Sequence, residues 1–283
     1  MNYMLLGLAA LSVTCQDIFK QKFNHKRKTG VYLFSGMVAL FAMLFFVFIN
    51  DDWSYSYTQL FPSFSFAISY ASCTLFSVLA IRHGSLAKTT LINSCSLLIP
   101  SFYGIIFLSE PVSSTLVAGT VLLVVALWMI NYQKDPTPST WKWVIFVFLA
   151  FVGNGMCSTV QKIAQNTFGD AGKNVFMIVA LGMVATIMFT MSLFSKDERH
   201  AHREIIKDGW LWSMLCGSFN GLCNFLVLFL NPRVPASVMF PVISAGSVVL
   251  VFVYAVLVTK EKFNLRQKIG YALGVISIIL LNL

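Results

Sequence analysis

The chain has 283 residues, 57% of them AVILMFWYC and only 11% Asp, Glu, Lys or Arg, with a mean hydropathy of +0.76. A soluble domain carries about 25% charged residues, so this composition excludes one. Lys and Arg exceed Asp and Glu by 20 to 11, a net charge of +9 that points to loops beside an anionic leaflet rather than to a nucleic-acid surface.

Charged residues crowd into short segments and leave ten apolar runs, at about 2–19, 31–50, 61–81, 85–108, 113–131, 143–164, 174–194, 210–230, 236–259 and 267–282. A hydrocarbon core needs about 20 helical residues, and the runs lack the alternation of a barrel strand. The expected fold is therefore an all-α integral membrane protein with ten transmembrane helices. The first run has no basic leading segment and no small-residue exit, so it is expected to remain as a helix. Arg82-His83-Gly84 and Asn231-Pro232-Arg233-Val234-Pro235 are short breaks, so runs 3/4 and 8/9 are expected to be tight hairpins. All six cysteines fall in apolar runs without CxxC spacing and read as small buried hydrophobes.

A polar linker, residues 133–140, divides the chain into halves 1–132 and 141–283 with five runs each. An offset of 151 aligns Arg82 with Arg233, Tyr103 with Tyr254, Glu110 with Glu261, Gly119 with Gly270 and Asn131 with Asn282; an offset of 142 aligns Cys15 with Cys157 and Lys20 with Lys162. Five helices is an odd number, so the second copy enters from the opposite side, giving a 5+5 inverted repeat. That architecture belongs to secondary transporters with a substrate site between the repeats. Alternate loops hold 17 Lys and Arg against 3 in the others, which places the odd loops in the cytoplasm and both termini outside.

Polar groups inside a span need a structural partner or a substrate. Asp17 is the one acid within an apolar run: it either binds a proton or a cationic substrate, or bridges to Lys20 or Lys162. Lys20 and Lys162 either snorkel to headgroups or capture a carboxylate. Asn220 and Asn224 share a face of run 8 and, with Asn154 and Asn93, offer amides to a ligand or bind helix to helix. Tyr70, Tyr103 and Tyr254 offer aromatic walls or packing, and Ser244 stands where the repeat places Asn93. Glu110 and Glu261 end runs 4 and 9, where the helix dipole disfavours a negative charge, so partners and a structural role are expected. No nucleotide, catalytic or metal motif sits in a supporting context, so no enzyme activity, cofactor or metal is expected; the His200 and His202 pair belongs to a solvated charge run.

Gly84-Ser85-Leu86-Ala87, Pro100, Leu108-Ser109-Glu110-Pro111 and Gly119 resemble the EamA-like branch of the drug/metabolite transporter superfamily. Pro235-Ala236-Ser237 to Thr259-Lys260-Glu261 and Gly270 repeat the pattern, with Val251 in place of the proline. The resemblance implies a 5+5 inverted repeat that moves a small polar or amphipathic metabolite, such as an amino acid, nucleoside, base or drug-like solute, across the cell membrane by alternating access. It also implies both termini in the cytoplasm, against the charge count. The expected partners are a small-molecule substrate, membrane lipid and a coupling proton, with the protein a monomer or homodimer. A multidrug or cation exporter using Asp17 and an integral-membrane lipid-modifying enzyme are the alternatives.

Overall fold

The computed structural model describes residues 2–26, 29–83, 92–93, 95–96, 98–110, 112–131, 141–169, 172–195, 209–254, 257–258 and 264–281. Ten α-helices are found among them: α1 (Asn2–Lys26), α2 (Val31–Ile49), α3 (Leu60–His83), α4 (Leu98–Phe107), α5 (Ser114–Asn131), α6 (Trp141–Phe168), α7 (Lys173–Phe194), α8 (Trp210–Leu230), α9 (Ala236–Tyr254) and α10 (Leu265–Leu281). The order and number follow the ten apolar runs. Helices α2, α6, α7 and α8 and the stretch Tyr57–Ser77 are long and apolar enough to cross a membrane, and shorter apolar helices span Leu98–Phe107, Ser114–Ala126 and Ala236–Val251. The linker 133–140, Gly84-Ser85-Leu86-Ala87, Pro111, His200, His202 and Thr259-Lys260-Glu261 lie outside the described residues.

Two ends differ from the sequence expectation for one reason. Helix α1 continues to Lys26 and α6 to Phe168, past Lys20 and Lys162, which were read as run ends. Lysine is a good helix former, so a charge marks a change of surroundings and not the end of a helix. The turns into α2 and α7 instead rest on glycines in the left-handed region, Gly30 at φ 91° and Gly172 at φ 65°.

Neighbouring helices pair across the two halves. Helix α3 packs on α6, and α8 packs on α1; α2 meets α8, and α7 meets α3; α1 meets α9, and α4 meets α6. Three further pairs are α2 with α7, α4 with α9 and α5 with α10. Small residues allow the closest approaches. A β-carbon on Gly153 would lie 2.8 Å from the Cys73 nitrogen and the Ser69 oxygen of α3, and one on Gly217 would lie 2.6 Å from the Val38 oxygen of α2. Gly119 and Gly270 are both buried, and the Gly119 carbonyl accepts from Ser277 Oγ at 2.9 Å across the α5–α10 seam.

Candidate functional site

On α1, Lys20 lies four residues after Gln16 and three before Phe23, both buried, so it projects from the face turned toward the other helices. Tyr70 and Cys73 of α3 and Cys216 of α8 stand close enough to act on its charge. Yet the side chains of Lys20 and Asp17 are 49% and 50% exposed, and they pair at 3.3 Å. An ion pair that faces inward and is still half exposed lines a water-accessible cleft between α1, α3 and α8. The i, i+3 bridge to Lys20 is one of the two arrangements the sequence offered for Asp17.

Beside the cleft runs a ladder of amides. Asn220 Nδ2 donates to Gln16 Oε1 at 2.9 Å, and Asn224 Nδ2 donates to the Asn220 carbonyl and Oδ1 at 3.0 and 3.1 Å. Gln161 Nε2 of α6 donates to the Asn224 carbonyl at 3.3 Å, and Gln16 Nε2 donates to the Phe219 carbonyl at 3.4 Å. The ladder joins α1, α8 and α6, and it spends amide hydrogens of Asn220 on Gln16 of α1 and those of Asn224 on Asn220 of its own helix. Sequence reading singled out the two asparagines and missed Gln16 and Gln161, although a polar residue beside Asp17 and another beside Lys162 in apolar runs carried the same signal.

A second polar group sits between α6 and α3. Asn154 Nδ2 donates to Ser96 Oγ at 2.6 Å and to the Asn93 carbonyl at 3.4 Å, and Asn93 Nδ2 donates to Ser77 Oγ at 2.9 Å. Asn93 Oδ1 is buried with no partner among the described residues. The aromatic candidates are dispersed. Tyr70 stacks on Phe66 beside the cleft at 5.9 Å between ring centres, and Tyr103 stacks on Phe107 at 5.1 Å near the end of α4. Tyr254 is half buried at the far end of α9, 18 residues from Ala236 and thus about 27 Å along the helix. Since Ala236 packs near Gly104 beside Tyr103, the two tyrosines lie at opposite ends of the bundle. Ser244 is buried on α9, its carbonyl accepting from Ser247 Oγ at 2.8 Å.

Glu110 has the partner that its position at a helix end demands, but it lies 126 residues away. Its carboxylate accepts from Ala236 N–H at 2.9 Å and from Ser237 N–H and Oγ, each at 3.0 Å, so it caps the first turn of α9. Lys162 Nζ, buried on α6, stands 3.4 Å from Glu110 and donates to the Asn231 carbonyl at 2.9 Å. Lys162 thus captures a carboxylate, and the carboxylate is the protein's own. Burial pushes the Glu110 carboxyl up, but the Ser237 and Ala236 N–H groups and the Lys162 ammonium outweigh it and hold the group below the usual carboxylate range. A separate shallow cleft between Gln59, Gln165, Phe168, Lys173, Phe176 and Leu228 contains none of the residues expected from the sequence.

The family model described as the EamA-like transporter family matches residues 134–283, more than half of the chain. The chain belongs to the EamA-like transporter family. It is a multi-pass membrane protein, and the matched stretch holds the second-half motif from Pro235 to Gly270. A solved structure titled "Crystal structure of protein" is similar over 99% of this chain and 98% of its own, with a TM-score of 0.78 and 12% sequence identity. At that identity the likeness establishes that the two share a fold. No curated protein matches the chain.

Proposed function

We propose that this EamA-family protein is a secondary active transporter that moves a small polar or amphipathic solute by alternating access between two inverted five-helix repeats. The observation that carries the reading is the Asp17–Lys20 pair: two opposite charges, half exposed, inside a bundle of apolar helices. Intramembrane charges are costly and concentrate along solute pathways. Tyr70 and the amides of Asn220 and Asn224 supply aromatic surface and hydrogen-bonding groups on the helices beside that pair, and Asn154 and Asn93 supply a second polar group between α6 and α3.

Helix pairing supports the repeat. Exchanging α1–α5 for α6–α10 converts α3–α6 into α8–α1, α2–α8 into α7–α3 and α1–α9 into α6–α4, and leaves α2–α7, α4–α9 and α5–α10 unchanged. A twofold relation between halves accounts for every one of these pairs. The lysine and arginine distribution favours odd loops in the cytoplasm, so the cleft near Lys20 opens inward in this reading.

The test is uptake and counterflow of amino acids, nucleosides, bases and organic cations in proteoliposomes, for the wild type and Asp17→Asn. Saturable exchange of one class is expected, with proton-coupled accumulation lost in Asp17→Asn. No exchange of any class removes the transporter reading. Unchanged coupling in Asp17→Asn confines that residue to holding Lys20. Transport of organic cations alone, lost in Asp17→Asn, identifies a cation exporter.

A further inference from the structure

Charge is paired toward both ends of the bundle, and the two pairs differ in exposure. Helices α1 and α8 run antiparallel, with Phe19 of α1 against Trp212 near the start of α8 and Cys216 donating to the Gln16 carbonyl. The Lys20 end therefore lies at the start of α8. Lys162 bonds the Asn231 carbonyl just past the end of the same helix, 15 residues from Cys216 and thus about 22 Å away. At that second end Lys162 and Glu110 have side chains 4% and 10% exposed, against 49% and 50% for Lys20 and Asp17.

The buried knot ties elements of both halves. Glu110 follows α4, Lys162 lies on α6, Asn231 follows α8, and Ala236 and Ser237 open α9. The chain is shaped to deliver the carboxylate. Leu108 and Glu110 N–H both donate to the Gly104 carbonyl, at 3.1 and 3.2 Å, while Ser109 takes a left-handed φ of 51°, uncommon outside glycine. That turn folds the Glu110 side chain back into the space where Gly104 lacks a β-carbon.

We propose that the Glu110–Lys162–α9 knot is a latch that shuts one mouth of the transport pathway, and that the structure is the state open at the Lys20 end. The proposal rests on the alternating-access reading. Opening the shut mouth requires the Glu110 carboxylate to leave the Ala236 and Ser237 N–H groups, which separates the α4–α5 turn from the α8–α9 turn. Asn231 helps to make the latch reversible. Its Nδ2 and Oδ1 are buried with no partner among the described residues, so water entering an opened mouth supplies bonds that the closed knot lacks. Charge-assisted bonds to helix amides are directional, so a displacement of a few ångströms releases the latch.

Native cysteines provide the readout. Cys73 and Cys223 are half buried and lie within range of the Lys20 charge. A membrane-impermeant charged maleimide is applied to right-side-out and inside-out vesicles, and labelling of the two cysteines is followed by mass spectrometry. Wild-type protein is expected to label from the Lys20 end alone. Glu110→Ala and Lys162→Met are expected to add labelling from the opposite side, several-fold above wild type, and Ser237→Ala, which keeps both backbone bonds, a smaller increase. Glu110→Gln keeps the shape and an acceptor oxygen and loses the charge, so it carries the test should Glu110→Ala misfold. Labelling of a folded Glu110→Gln and Lys162→Met from the Lys20 end alone, at the wild-type rate, overturns the latch. Equal labelling of the wild type from both sides overturns alternating access itself.

Discussion

Lys20 and Lys162 stand 142 residues apart, on α1 and α6, and they meet opposite surroundings. Lys162 is buried, and its ammonium bonds a carboxylate and a carbonyl contributed by two other parts of the chain. Lys20 is half exposed and holds an acid from its own helix, one turn away. The same residue type serves as a cross-bundle tie at one end and as a charge in a wet cleft at the other. The difference shows that the partner, and not the lysine, sets the role: a carboxylate anchored to a helix N-terminus makes a closed contact, and a carboxylate on a neighbouring turn makes an open one.

The sharpest way to break this comparison is to remove one partner at each end. Glu110→Ala leaves a buried ammonium with only the Asn231 carbonyl and uncaps α9, for which a loss of about 3–5 kcal/mol is expected. Asp17→Ala unpairs a half-exposed lysine and should cost about 0–1 kcal/mol. Thermal melting of both variants in the same detergent measures the contrast. Equal shifts would mean that the two lysines occupy equivalent environments after all.

Much of this was legible beforehand because it depends on local sequence. Ten apolar runs gave ten helices, since a span must satisfy its own backbone bonds whatever surrounds it. The Asp17–Lys20 bridge was readable from i, i+3 spacing. Glu110 announced a need for a partner through its place at a helix end, but the partner is the first turn of α9, and nothing near Glu110 in sequence names it. Long-range pairing of this kind follows from how helices stack, and stacking in lipid depends on small residues such as Gly153 and Gly217, whose apolar neighbours all look alike in a hydropathy profile. The amide ladder was half visible for the same reason: Asn220 and Asn224 share a helix face, whereas Gln16 and Gln161 reach them from other helices.

Gly153 offers a second break, confined to the seam that carries Cys73. A valine there drives its β-carbon into backbone atoms of α3, which cannot swing aside as a side chain can. The expected cost is about 3 kcal/mol, at the upper end of ordinary overpacking. Gly7→Val on α1 is the control, because the space beside Gly7 is open and little change is expected. Similar melting temperatures for the two variants would mean that α3 and α6 approach less closely than described.

The finest distinction between the two ends is their response to acid. Glu110 is held below the usual carboxylate range by Ser237, Ala236 and Lys162, so its folded pKa lies under its unfolded one. A depressed acid stabilises the protein while pH is above the unfolded value, about 4.3, and that contribution is lost as pH falls through the folded value. Melting temperatures of wild type and Glu110→Gln should therefore differ by a constant amount between about pH 6 and 8, and the gap should narrow below about pH 4. Gln cannot titrate, so the comparison isolates the charge from the shape of the cap. A gap that widens on acidification would mean that burial dominates and that Glu110 enters the knot protonated, in which case Lys162 would lack its counter-charge and only the exposed end would hold an ion pair.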